Sequence, residues 1–206
     1  MRIDFRLMIP LLLSVLLLFS CNKDLISQAG EVREEWISFK QKVQQAKEDL
    51  RMAALELKVL RSENFVSKDT EKYVNDVKER INRIRTLKED FEELVKSVDF
   101  YFAFAYRKAN QTKDPNLRSR YLQYISRRKN DFVILLRKAH ARIETLDELA
   151  VKLQDILNGI EIAAAMRIVS EKINEMESLI AKMDKEIQET ERLIEQGYSI
   201  LEMELG

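Results

Sequence analysis

The chain holds one cysteine and one histidine in 206 residues. No disulfide can close within it, and a zinc site of thiolates and imidazoles has too few donors. The histidine, His140, follows Arg137 by three positions, so the Glu-x-x-His ligand pair of dimetal helical bundles is absent. No glycine-rich phosphate loop occurs, and no His or Cys partner is placed for a serine nucleophile. Glycine and proline are scarce too: beyond the first twenty residues only Gly30, Gly159, Gly197, Gly206 and Pro115 remain. A β-fold needs many turns, and turns need those residues. Basic and acidic side chains number 35 each and cancel, so no global charge favours a nucleic acid.

What is present is periodic. Leu25, Val32, Phe39, Ala46, Ala53 and Leu60 recur every seven residues, and Ala29, Trp36, Val43, Leu50 and Leu57 fill the spaces between them. Such alternating spacing is the stripe of a helix packed in coiled-coil fashion, and it predicts a first helix over about 25–61. Ser62 to Val66 breaks the pattern. Ser67 can then cap a second helix over about 67–110, with Asp69 and Glu71 at its positive start. Its stripe is Val77, Ile81, Ile84, Leu87, Phe91, Leu94 and Val98.

Asp114-Pro115 combines an N-cap with a proline at the first helical position, which predicts a third helix over 115–157. Leu122, Ile125, Phe132, Leu136, Ala139, Ile143, Leu146, Ala150, Leu153 and Leu157 form its stripe, with Lys129 as the skipped position. The next run is Ile162, Met166, Val169, Ile173, Met176, Ile180, Met183, Ile187, Ile194 and Leu201, displaced by two residues from the previous one. One continuous seam absorbs shifts of three or four more readily. Asn158 and Glu161 also spell a capping box. A tight turn at Asn158-Gly159 and a fourth helix over 160–205 follow. Similar lengths and short connections predict an all-α fold: an elongated, antiparallel, coiled-coil-like four-helix bundle forming one domain over 25–206. The alternative is a long helical hairpin or three-helix coiled coil that completes its core by oligomerising.

The amino terminus has a different character. Arg2 and Arg6 precede an uncharged segment, Leu7 to Phe19. That segment has the size of a signal-peptide core and falls short of the ~20 residues of a membrane span. It closes on Leu18-Phe19-Ser20-Cys21, which resembles the lipobox of bacterial lipoproteins. The resemblance implies a signal peptide over 1–20, cleavage before Cys21, acylation of Cys21 with palmitate-type chains, and a short tether over 21–24. It implies a membrane as partner through that lipid, and a place in the bacterial cell envelope, the outer membrane ahead of the inner. The other reading of these residues is an uncleaved anchor helix ending in a buried free cysteine. The resemblance concerns the export signal and names no family for the mature helical domain.

Two surface features stand out in the helical part. Phe100, Tyr101, Phe102, Phe104 and Tyr106 crowd the end of the second helix, and Tyr121, Tyr124 and Phe132 are expected to face them across the hairpin. The block is either an aromatic plug of the core or an exposed apolar patch. Around it, Arg107, Lys108, Lys113, Arg118, Arg120, Arg127, Arg128 and Lys129 oppose Asp114 alone. In an up-down bundle this hairpin returns to the end that carries Cys21, where aromatic and basic side chains suit a lipid interface. The competing use is internal: Asp184, Glu186, Glu189, Glu191, Glu195, Glu202 and Glu204 on the last helix would lie beside it and match its charge.

The stripes of the first, second and fourth helices hold no carboxylate, so neither an acid–base pair nor a metal cage is expected in the core. The sequence therefore reads as a cofactor-free, non-enzymatic binding or scaffold protein that meets another macromolecule, an unidentified protein, at the envelope. Heptads also suit a homo-oligomer. The alternative is a carrier of lipid or a small apolar ligand, with Met166, Met176, Met183 and the aromatic block lining an adaptable cavity. Replacing Cys21 with alanine is expected to leave an unprocessed precursor that incorporates no labelled palmitate. A Cys21→Ala chain that is still cleaved and membrane-anchored would sink the lipobox assignment.

Overall fold

The computed structural model describes the backbone of residues 5–62, 69–165 and 168–205, and the side chains of 27–61, 71–160, 162–163 and 168–201. Every regular element among the described residues is an α-helix: α1 (Phe5–Ser62), α2 (Asp69–Arg85), α3 (Leu87–Asn110), α4 (Pro115–Asn158), α5 (Ile160–Ala165) and α6 (Val169–Leu205). The expected break after Ser62 and the Ser67 cap lie outside the described residues.

α1 starts earlier than the heptads indicate. Its backbone is helical from Phe5 onward, through Cys21 and the segment expected to be a tether. No proline follows Pro10 in this helix, and Gly30 costs only about 1 kcal/mol, too little to end it. α2 and α3 form one rod, tightened at Thr86. The Thr86 hydroxyl donates to the Arg83 carbonyl at 2.8 Å, and its N–H reaches the same carbonyl at 3.2 Å. A threonine that bonds back to the preceding turn in this way bends a helix without ending it. Asp90 N–H to Thr86 O, at 3.1 Å, resumes the ladder.

α4 begins as its sequence indicates. The Asp114 carboxylate accepts from the N–H groups of Asn116 at 2.8 Å and Leu117 at 3.2 Å, ahead of Pro115. Its far end differs from expectation. Asn158 is the last residue of α4 and not a cap, and Ala163 N–H still reaches Gly159 O at 3.0 Å. The helical path therefore runs past Gly159, which has φ −90° and supplies no left-handed turn. Ile160 and Ala163 remain buried, continuing the α4 stripe. α5 runs to Ala165 and the antiparallel α6 starts at Val169, so the two-residue displacement falls between those helices and not at Asn158-Gly159.

α1 packs against the α2–α3 rod on one side and α6 on the other, and α4 closes the ring against the same two neighbours. The pairings descend on one helix as they climb on the next. Lys42 meets Asp90, and Asp49 meets Arg83; Lys47 meets Glu191, and Arg61 meets Glu177. This is an antiparallel four-helix bundle, and the three-helix or hairpin alternative does not describe it. Ten stripe residues of α1, from Ala29 to Leu60, are all buried, as are Val77 to Val98 of the second rod. On α4 the stripe is buried only from Phe132 onward. On α6, Ile173, Met176, Ile180, Met183, Ile187, Ile194 and Leu201 are buried, whereas Ile162 on α5 is 66% exposed. Met166 lies outside the described residues.

Near one end the core is built on Trp36. Its indole is fully buried and donates from Nε1 to the Ile194 carbonyl at 2.8 Å. Phe132 meets it edge to face at 5.5 Å, and Phe102 packs on Phe132 at 5.7 Å. Gly197 explains how so large a ring fits: a Cβ there would sit 2.0 Å from Trp36 Cζ2. Helix propensity alone says that Gly197→Ala stabilises by about 1 kcal/mol. The rigid ring reverses that sign, and we expect Gly197→Ala to destabilise by roughly 1–3 kcal/mol. Thermal unfolding followed by circular dichroism should show the lowered midpoint, and adding Trp36→Phe should recover part of it. A raised midpoint for Gly197→Ala alone would contradict the packing.

Candidate functional site

The α3–α4 hairpin gathers most of the residues singled out above, but it divides them. Phe102 is buried against Phe132 and Tyr101, so it is a core residue and not a contact surface. Tyr101 is partly buried against the same core. Phe104 and Tyr106 are half-buried, with the Lys108 ammonium 5.2 Å above the Phe104 ring. Phe100 faces out, 58% exposed. Arg107 and Arg120 are exposed, and Arg118 is half-buried.

Tyr121 and Tyr124 do not face the aromatic block as expected. Leu122 and Ile125 hold the inward positions of α4, and both are only half-buried. Tyr121 and Tyr124 are displaced to an adjacent stripe with Leu117, and these three are 46%, 53% and 40% exposed. Their spacing of four and three residues puts them on one side of α4. The Arg128 guanidinium lies 5.4 Å over the Tyr124 ring.

Register explains why this end is uncovered. Counting at equal rise from the Arg142–Glu186 pair, the end of α6 is level with about Gln123 of α4. The hairpin tip thus lies beyond α6. Counting from Phe39 opposite Phe91 and Lys42 opposite Asp90 puts Asn110 level with about Cys21 of α1. Cys21 sits in helical backbone, and its side chain lies outside the described residues. An open groove of about 850 Å³ runs along the hairpin, bordered by Tyr106, Pro115, Arg118, Leu122, Ser126 and Arg127. It offers guanidinium and hydroxyl donors to an anion, in a setting open to water.

The expected charge match between the hairpin and the last helix is not what the described acids of α6 make. Glu195 pairs with Lys40 at 2.6 Å and Glu191 with Lys47 at 2.6 Å, both on α1. Glu186 pairs with Arg142, and Glu189 with Arg192 on its own helix. Glu202 and Glu204 have side chains outside the described residues. Lys129, the skipped stripe position, pairs with Asp99 at 3.2 Å. Among the described residues, Arg107, Lys113, Arg118, Arg120 and Arg127 form no ion pair.

A second charged cluster was missed by the heptad reading. Asp49 is buried, with its side chain 2% exposed, and accepts from Arg83 at 2.8 Å and Arg80 at 3.2 Å. Glu56, one heptad on, accepts from the same Arg80 at 3.1 Å. Both flank the stripe, immediately before Leu50 and Leu57, where a four-helix core is wide enough to enclose them. The signal was their seven-residue spacing on one face, with Arg80 and Arg83 on the next helix. His140 packs beside Phe91 with ring centroids 6.0 Å apart, and its Nε2 lies 3.6 Å from Glu144. Among the described residues no group of three or more His, Cys, Asp or Glu side chains is placed to hold a metal.

The chain matches no protein-family model, no curated protein and no solved structure.

The two buried carboxylates should respond to pH with opposite signs. Burial pushes the Asp49 carboxyl up, but Arg83, aided by Arg80 and Gln45, outweighs it and holds the group below its usual range. Burial wins at Glu56 and pushes it up despite Arg80. Asp49 therefore stabilises the fold above the ordinary carboxylate range, and this is lost as pH falls through its depressed value. Glu56 penalises the fold above its raised value, and the penalty is relieved as pH falls from there to the ordinary value. Asp49→Asn should cost roughly 2–3 kcal/mol at neutral pH and far less in acid. Glu56→Gln should cost much less at neutral pH. Equal losses in urea unfolding at neutral pH would refute this ordering.

Proposed function

We propose that the chain is a lipid-anchored protein of the bacterial cell envelope that works by binding or scaffolding another macromolecule, not by catalysis. The lipobox-like Leu18 to Cys21 segment supports the anchor. The single observation that supports the mechanical part is continuity: the α1 backbone is helical at Cys21 and runs from there without a break into the packed bundle. Beyond Cys21 it extends for roughly 60 Å, at about 1.5 Å per residue. A load at the far end is then transmitted along a helix braced by three others, and not through a slack linker. The heptad stripes are compatible with gentle supercoiling of the rods and with a homo-oligomer. The carrier reading draws no support from Met176 and Met183, which are fully buried in the continuous core.

Surface for a partner exists at both ends. The far end shows exposed Ile162 beside Ile156, Ala163 and Ile168, around an open groove of about 340 Å³. The near end shows the basic and aromatic hairpin. The test is a photo-cross-linking residue at position 162 of the full chain in cells, with protease treatment of intact cells locating the exposed face. The expected result is a discrete cross-linked species in the membrane fraction that the Cys21→Ala chain fails to form. A full chain found in the soluble fraction, or one that cross-links nothing at position 162 or along the hairpin, would count against the reading.

A further inference from the structure

We infer that the α3–α4 hairpin end is a second membrane contact, which rests on the anionic headgroups of the bilayer beside the N-terminal segment. Between Ala103 and Asn130 the chain carries eight basic residues and one acid, Asp114. That acid is committed to the α4 N-terminus by its bonds to Asn116 and Leu117. Elsewhere along the bundle basic and acidic residues are interspersed, and Lys40, Lys42, Lys47, Arg61, Arg85, Lys88 and Arg142 meet anions on neighbouring helices. At the hairpin, Arg107, Lys113, Arg118, Arg120 and Arg127 lack such a partner among the described residues. A positive field over a few turns with few anionic partners among the described residues, in a chain of zero formal net charge, suits an external anion.

The apolar component selects a bilayer over a dissolved anion. Leu117, Tyr121 and Tyr124 form an exposed stripe on α4, flanked by Arg118, Arg120 and Arg127. Tyrosine bears an apolar ring with a polar tip and concentrates at the headgroup level of membranes, where arginine snorkels to phosphate. Register supplies the proximity: Asn110 is level with about Cys21, so a bilayer that holds the N-terminal segment meets the hairpin as well. The contact rests on the anchoring reading only in placing a bilayer at that end of α1. It requires neither cleavage nor acylation, since an apolar N-terminal segment retained in the bilayer places it there too.

The experiment uses the full chain carrying Cys21→Ser, with one thiol introduced by Ser119→Cys on the hairpin or Ser178→Cys at the far end of α6. Each thiol bears an environment-sensitive dye, and quenching by spin-labelled lipid is read on vesicles of phosphatidylcholine alone or mixed with phosphatidylglycerol. Position 119 should be quenched on the anionic vesicles, should lose that quenching at ~1 M salt, where the screening length falls to about 3 Å, and should be little quenched on neutral ones. Position 178 should stay unquenched on both. Arg118→Glu with Arg120→Glu should bring position 119 down to the level of 178 while the helical dichroism is kept, and the two lysine substitutions should preserve the signal. Equal quenching on neutral and anionic vesicles would overturn the headgroup contact. So would a position 119 no more quenched than 178 on either, or a chain that stays off both vesicles, and the stripe would then belong to a protein partner. Acylation of Cys21 is scored separately by palmitate incorporation, so loss of the lipobox reading and loss of the hairpin contact are told apart.

Discussion

Close approach of Trp36 to the backbone of α6 sets much of the rest. The ring occupies the space a Cβ of residue 197 would need, and its N–H holds the Ile194 carbonyl. A hydrogen bond to a backbone carbonyl within a helix admits little slippage, because sliding by one residue moves the acceptor and brings a side chain into the ring. The separation and register of α1 and α6 are thereby fixed together near one end of the bundle. Phe132 and Phe102 pack outward from the same ring, so α4 and α3 inherit that register. Deleting a buried tryptophan of this kind costs roughly 3–5 kcal/mol, more than any single exposed ion pair supplies.

Away from that end, charge assists the register. Interhelical ion pairs bridge α1 to α2, α3 and α6, and bridge α4 to its neighbours. Most are exposed, and each contributes little to stability, but a shifted helix would set like charges opposite one another. Asp49 differs because it is buried. Its two arginine partners belong to α2 alone, so it ties α1 to that helix in particular. The same matching is sparser at the α3–α4 hairpin, where the bundle thins from four helices to three beyond the end of α6 and basic residues outnumber acidic ones. Loss of a neighbouring helix accounts both for the exposed tyrosines and for Arg107, Arg118, Arg120 and Arg127 having no ion pair among the described residues.

The heptads made the helices and the core legible because burial in a bundle follows the period of the helix, and the described stripe residues of α1 and α3 are buried where that period puts them. The Asp114-Pro115 start was equally plain, since a cap is local chemistry between neighbours in sequence. Other features were not legible. Asn158-Gly159 spelled a turn, yet the chain continues helically past it, because Ile160 and Ala163 still have a core to join. Tyr121 and Tyr124 were apolar enough to suggest burial, but exposure there depends on where a helix distant in sequence ends. Asp49 and Glu56 fell outside a stripe drawn for a narrow seam.

By itself, the sequence determined an all-α chain, its helical stripes, the N-terminal apolar segment and the absence of sulfur or imidazole donors in number, all of which follow from composition and local period. Only the tertiary structure decided which helices are neighbours, why residue 197 is glycine, that Asp49 is buried, and which side of the hairpin is left open. Those depend on the relative height of four helices, and height is set by contacts such as Trp36 with Gly197, whose partners lie far apart in the chain and leave no periodic mark in it.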